Sequence, residues 1–280
     1  LLVATGKIER EEKDEFMKQR NLHFNLEAAR ATLARVYWMI GELDSARIYA
    51  DKVIRSNKFR FASKTSLNTF MQKTVSMEET IWGLYNAEVY SDWLTQHVRR
   101  QGLGDLTTDF KSIYAYEGPT GKKDYRLDNW FGTYNRSGTP VDILVKVMGN
   151  VSDTTSLTTS YNGGPYLGTS MIRIPEMYYI MSEALLATGN AEGAMEYLDA
   201  VVDARGMEKF ADRTPLVDIT LSDIMAERRK EFIGEGQWWF CLKRLNSPVK
   251  LSGATGATIP GSDKIYVLPL PVEEEDYRPE

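Results

Sequence analysis

The sequence predicts a mainly α protein. It should have tetratricopeptide-like helical hairpins forming an α-α superhelix-type scaffold, with a loop-rich central insertion carrying a few short strands. Three observations predict this. Apolar residues recur at helical spacing over 25–57. The same pattern returns over 175–205, where setting Gly189 on Gly41 aligns the two stretches without a gap. Between them, residues 82–170 are rich in Gly, Ser, Thr, Asp and Asn and carry a surplus of aromatic rings.

In the first hairpin Asn25 suits an N-cap, because its side-chain oxygen can take a free N–H of the first turn. Leu26, Ala29, Leu33, Val36, Tyr37 and Ile40 then form a stripe, and Gly41 ends the helix as a left-handed residue. Asp44 can cap a second helix, with Ala46, Ala50, Val53 and Ile54 on one face and an end near Asn57. Trp38, off that stripe, reads as a core residue. In the second hairpin Pro175 fits the first helical turn. Met177, Met181, Ala184 and Leu185 make the stripe, and Gly189 stops it. Asn190 caps the partner helix, which carries Ala194, Leu198, Val201 and Val202. Two such hairpins are too few for a free-standing solenoid, so further repeats or other elements must cover them.

Elsewhere the signals are shorter. Residues 7–21 are a charge-rich lead-in, read as a solvated helix or loop. Residues 79–85 and Val141–Val147 read as strands. Thr220 and Asp223 form a capping-box-like start to a helix through Ile224, Met225, Arg228 and Phe232, broken by Gly234 and Gly236. An amphipathic stretch from Trp238 to Leu245 follows. The prolines at 269 and 271 make the tail from Tyr266 an extended surface segment. Residues 1–280 are read as one domain, with C-terminal helices and tail over 220–275.

Composition excludes several functions. A net charge of −5 lacks the basic face that a nucleic-acid binder needs. One cysteine, Cys241, permits no intramolecular disulfide and reads as a buried structural thiol. His23 and His97 are the only histidines, and no Cys/His spacing suits zinc. No Gly-rich phosphate loop is present. No cofactor and no metal are therefore expected. The chain opens without Met and in mid-pattern, which reads as a product with upstream sequence removed.

Three stretches together resemble the SusD/RagB family of glycan-binding lipoproteins. The first runs from Arg173 through Glu176 to Glu183 and Ala184. The second contains Glu227, Arg228, Glu231, Glu235, Gly236, Leu242 and Arg244, with Cys241 where the family usually has Asp. The third is the closing Leu268-Pro-Leu-Pro271-Val-Glu273. The resemblance covers 25–57 and 170–275 well and the middle only by position. Family members are commonly near twice this length. The resemblance implies a non-enzymatic protein on the extracellular face of the outer membrane, held through an upstream lipid anchor that lies outside this chain. It would bind oligosaccharide or polysaccharide and deliver it to a SusC-like TonB-dependent transporter. A helical scaffold binding a peptide or partner chain is the alternative, and a glycosidase is the remote one.

A sugar site needs a flat ring for the apolar C–H face and polar side chains for the hydroxyls. Tyr90, Asp92 and Trp93, and Asn129, Trp130 and Tyr134, place such groups side by side in the central segment. Large rings also bury readily, so a core role stands beside the ligand role for each. The acid pairs Asp105/Asp109 and Asp124/Asp128 invite a glycosidase reading, but spacing alone cannot set two carboxyls across a sugar bond. Glu227, Arg228, Glu231, Glu235 and Arg244 read as a salt-bridge network, with Arg228 reaching Glu231 along the helix.

Overall fold

The computed structural model describes residues 20–65, 67, 76, 78–86, 110–114, 121–136, 138–144, 146, 168–250 and 257–269. The chain divides into two compact units, Leu1–Glu235 and Gly236–Glu280. The described residues are mostly helical, as the sequence predicts.

The first unit is built on the two hairpins. Helix α1 (Leu26–Met39) turns into α2 (Leu43–Ile54). Asn25 caps α1, its Oδ1 accepting the Ala28 N–H at 3.0 Å. Gly41 and Gly189 sit at φ +85° and +82° with nothing within 4 Å of a notional Cβ. Backbone handedness, and not crowding, therefore asks for glycine at both turns. Helix α2 begins behind Glu42 without a side-chain cap, and Asp44, the expected cap, lies in its first turn.

The buried face of α1 matches the predicted stripe only at Ala29. Ala28, Ala31, Ala34 and Trp38 are buried with it, while Leu33, Val36 and Ile40 are 37%, 48% and 65% exposed. Small side chains let α1 approach its neighbours closely, so the alanines take the interface and the larger aliphatics face out. Helix α2 buries Ala46, Ala50 and Val53.

Helices α3 (Phe110–Tyr114) and α4 (Tyr125–Trp130) fall where the sequence reads as loop. Asp124 caps α4 by accepting the Arg126 N–H. Helix α5 (Ile174–Ala187), with Pro175 in its first turn, and α6 (Ala191–Ala204), capped by Asn190, form the second hairpin. Ser182 Oγ donates to the Ala194 carbonyl at 2.7 Å, tying the two helices together. Helix α2 packs on α5, so the hairpins stack side by side. Helix α7 (Leu221–Glu231) starts at the expected capping box and also packs on α5.

Two antiparallel ribbons complete the unit. Strand β1 (Thr80–Tyr85) pairs with β4 (Gly168–Arg173), and β2 (Phe131–Arg136) pairs with β3 (Thr139–Leu144). Gly206, at φ +81°, lies so close to the Tyr125 ring that a Cβ would sit 2.4 Å from it. With the Tyr125 N–H donating to the Arg205 carbonyl at 2.8 Å, this contact seats α4 against the end of α6.

The second unit holds α8 (Gln237–Arg244), the short ribbon β5–β6 (Val249–Lys250 with Thr258–Ile259) and α9 (Asp263–Tyr266). Tyr266 closes a helical turn instead of opening the extended tail, its hydroxyl donating to the Ser247 carbonyl at 2.5 Å. Cys241 is a free, buried thiol. Among the described residues no helix is long and apolar enough to cross a membrane.

Candidate functional site

The residues with the most constrained chemistry are buried ions where the central segment meets the helical scaffold. Arg173 ends β4, Arg205 ends α6 and Arg126 lies in α4. All three converge on Glu231, the last residue of α7. Arg173 Nη1 donates to Glu231 Oε1 at 2.7 Å and to Glu79 Oε2 at 2.8 Å. Arg205 donates to both Glu231 oxygens, at 2.8 and 2.9 Å, and to Glu79 Oε1 at 2.9 Å. Arg126 grips Asp124 through two nitrogens, at 2.7 and 2.9 Å, and reaches Glu227 at 2.8 Å and Glu231 at 3.3 Å. Lys230 pairs with Glu227 one turn earlier in α7. The cations Arg126, Lys146, Arg173, Arg205 and Lys230 thus match the carboxylates Glu79, Asp124, Glu227, Glu231 and Glu235 one for one.

Burial alone would raise the Glu231 carboxyl, but Arg205 and Arg173 hold it well below the usual carboxylate range. Lys146 is the opposite case. Its ammonium lies 4.0 Å from the centre of the Trp130 ring and donates to the Glu231 carbonyl at 2.7 Å and to Glu235 Oε1 at 2.5 Å. It thereby covers carbonyls at the C-terminal end of α7, where a cation is favoured. Burial nevertheless pushes its pKa down to about 8, with Arg173 adding to the depression and Glu235 opposing it.

A pH dependence follows. Between the folded value near 8 and the unfolded value near 10.5, the unfolded chain binds a proton that the folded chain lacks. Lys146 therefore contributes stability at alkaline pH that is lost as pH falls through about 8. Urea unfolding of the wild type and of Lys146→Met should show the wild type gaining relative to the variant from pH 7.5 to pH 9.5, by about 1–3 kcal/mol. A constant difference would remove Lys146 as the titrating group.

A second cluster fastens α1. Arg35 donates to both Glu176 oxygens, at 2.8 and 2.5 Å, and to the Met171 carbonyl at 2.6 Å. Arg228 reaches Glu176 at 3.3 Å and stacks over the Trp38 ring at 4.1 Å, while Trp38 Nε1 donates to Glu183 at 2.6 Å. Arg228 thus pairs across the fold with α5, not along α7 with Glu231 as its spacing suggests.

The sequence-predicted sugar residues fare differently. Tyr90, Asp92 and Trp93 lie outside the described residues, as do Asp105 and Asp109. Tyr134 belongs to β2. Asn129 and Trp130 are corrected: they end α4, and Trp130 has no exposed surface while Asn129 has 5%. Trp130 packs with Ala62, Leu67 and Leu144 and lies beneath Lys146, so its ring is a core face and not an open platform. Asp124, half of a suspected acid pair, is committed to Arg126 and to capping α4. Among the described residues no group of three or more His, Cys, Asp or Glu could hold a metal ion.

Residues 147–258 match the model of the SusD family. Over that stretch the chain is similar to the SusD family. Arg173, Glu176, Glu183, Glu227, Arg228, Glu231 and Glu235, seven of the charged residues behind the sequence resemblance, lie in the two buried clusters. Solved structures extend the likeness to the fold. A SusD superfamily protein from Bacteroides thetaiotaomicron VPI-5482 is similar at a TM-score of 0.68 and 24% identity, over 90% of this chain and 59% of its own. A SusD-like carbohydrate binding protein from Bacteroides vulgatus ATCC 8482 gives 0.62 and 18%, over 90% and 58%. A structure solved with xylogluco-oligosaccharide gives 0.56 and 20%, over 78% and 50%. The chain thus spans between 50% and 59% of these three proteins. No curated protein sequence matches it.

Proposed function

We propose that this chain captures oligosaccharide or polysaccharide without cleaving it, at the extracellular face of the outer membrane, and passes it to a SusC-like TonB-dependent transporter. The observation that carries this reading is the SusD-family match over 147–258, on a fold shared with a carbohydrate-binding relative and with one solved bearing xylogluco-oligosaccharide. The ionic core supports it: the buried charges are paired with one another and fix the base of the central segment, which is a structural use of charge and not a catalytic one. Tyr90, Asp92, Trp93 and Tyr134 remain the candidate contacts, with Trp130 and Asn129 withdrawn.

Trp93→Ala should weaken glycan affinity five- to a hundredfold by calorimetry, since a lost stacking ring costs on the order of 1–3 kcal/mol by analogy with bases on aromatic side chains. Unchanged affinity in a folded variant would remove Trp93. The second reading, a helical scaffold for a protein partner, draws on the exposed Leu33, Val36 and Ile40 of α1. It predicts that peptides bind and glycans do not.

A further inference from the structure

We propose that two ordered waters complete the buried ionic core, one held by the Tyr179 hydroxyl and one by Arg205 Nη1. They belong to the scaffold and are independent of what the chain binds.

Both groups lie fully inside. Tyr179, on α5, and Arg205, at the end of α6, have no exposed surface. Among the described residues neither Tyr179 Oη nor Arg205 Nη1 has a hydrogen-bond partner. Such atoms are rare in folded proteins, because a buried donor left unpaired costs its full desolvation. Tyr114 shows the ordinary outcome in the same core: its hydroxyl donates to the Lys230 carbonyl at 2.8 Å.

The carboxylates of the core are already spent. Glu231 Oε1 accepts from Arg173 Nη1 at 2.7 Å and from Arg205 Nη2 at 2.8 Å. Its Oε2 accepts from Arg205 Nε at 2.9 Å and from Arg126 Nη1 at 3.3 Å. A carboxylate offers about four lone-pair positions, and these four bonds occupy them. Glu79 Oε1 is filled likewise, by the Ala62 N–H at 2.7 Å and by Arg205 Nη2 at 2.9 Å. Binding the arginines so fully leaves Glu231 nothing to offer a further donor.

Neither donor can be given up. A guanidinium stays charged, so Arg205 Nη1 keeps both its N–H groups. The Phe61 ring, 5.8 Å from the guanidinium carbon, attracts the charge but is a poor acceptor for them. Burial, and Glu231 next, push the Tyr179 pKa well above its ordinary value, so the phenol keeps its proton. Its ring is held edge-on to Phe232, with centroids 5.9 Å apart, and cannot swing to another partner. Water is the small acceptor that fits such places, and it passes its own protons on to neighbouring oxygens. Folded proteins bury about one water per 27 residues, so a chain of this length has room for on the order of ten. A water fixed by such bonds cannot reorient as bulk solvent does, so it pairs the donor without weakening the ion pairs.

The test is a pair of crystal structures, of the wild type and of Tyr179→Phe, at a resolution that shows ordered solvent, with urea unfolding of both. The wild type should show one water within about 3.2 Å of Tyr179 Oη and another within that distance of Arg205 Nη1. Tyr179→Phe should lose the first and keep the second. In urea the variant should unfold at the wild-type midpoint or below it, because the hydroxyl it lacks was paired. A dry hydroxyl gives the opposite sign, since deleting an unpaired buried donor relieves a cost and raises the midpoint. A raised midpoint, or either atom without a water in the wild type, overturns the proposal.

Discussion

Glu231→Gln should destabilise the protein by about 3–5 kcal/mol, a large part of the 5–15 kcal/mol that ordinarily separates folded from unfolded chains. Glu231 has no exposed surface and accepts from Arg126, Arg173 and Arg205. Removing its charge leaves three guanidinium groups facing one another with one carboxylate fewer. Water cannot enter cheaply to screen them, so the cost is that of uncompensated buried charge and not of one lost hydrogen bond. Asp51→Asn supplies the control. Asp51 pairs with Arg55 four residues along α2, where the arginine is 79% exposed, and such pairs are worth under about 0.5 kcal/mol. Urea denaturation of both variants should separate them by several-fold in the loss of unfolding free energy. Equal losses would show that the buried network is not what holds the central segment to the scaffold.

Trp38→Ala should cost about 3–5 kcal/mol as well, by a different route. The ring is 1% exposed where α1 meets α5 and α7. Its deletion opens a cavity, strips the face on which Arg228 lies and leaves Glu183 without the indole N–H. Trp38→Phe separates these effects, since it keeps a ring for Arg228 but loses the bond to Glu183. It should fall between wild type and Trp38→Ala in thermal unfolding. A Phe variant as unstable as the Ala variant would assign the whole effect to the Glu183 bond.

The helices were legible because their ends carry chemistry. Asn25, Gly41, Asn190 and the Thr220–Asp223 box all act as their residue types suggest. The inward face of α1 was not legible, because alanine signals packing weakly beside Leu33, Val36 and Ile40, and only the close neighbouring helices decide between them. The Glu227–Glu235 cluster was visible as charge. The other members Glu79, Arg126, Lys146 and Arg205 were not, since each comes from its own segment: Arg126 meets Glu231 across 105 residues, and Glu79 meets Arg205 across 126. Trp130 was misplaced for a related reason. Asn-Trp in a polar stretch looks like a loop platform, and nothing local shows that Asp124 starts a helix or that Lys146 comes to lie over the ring.

Calorimetric titration of the purified chain with a panel of oligosaccharides, each analysed for chain length afterwards, tests the central claim most directly. The account predicts saturable binding of at least one glycan, recovered at its original length. Shortened products, or no heat from any glycan in the panel, would contradict it.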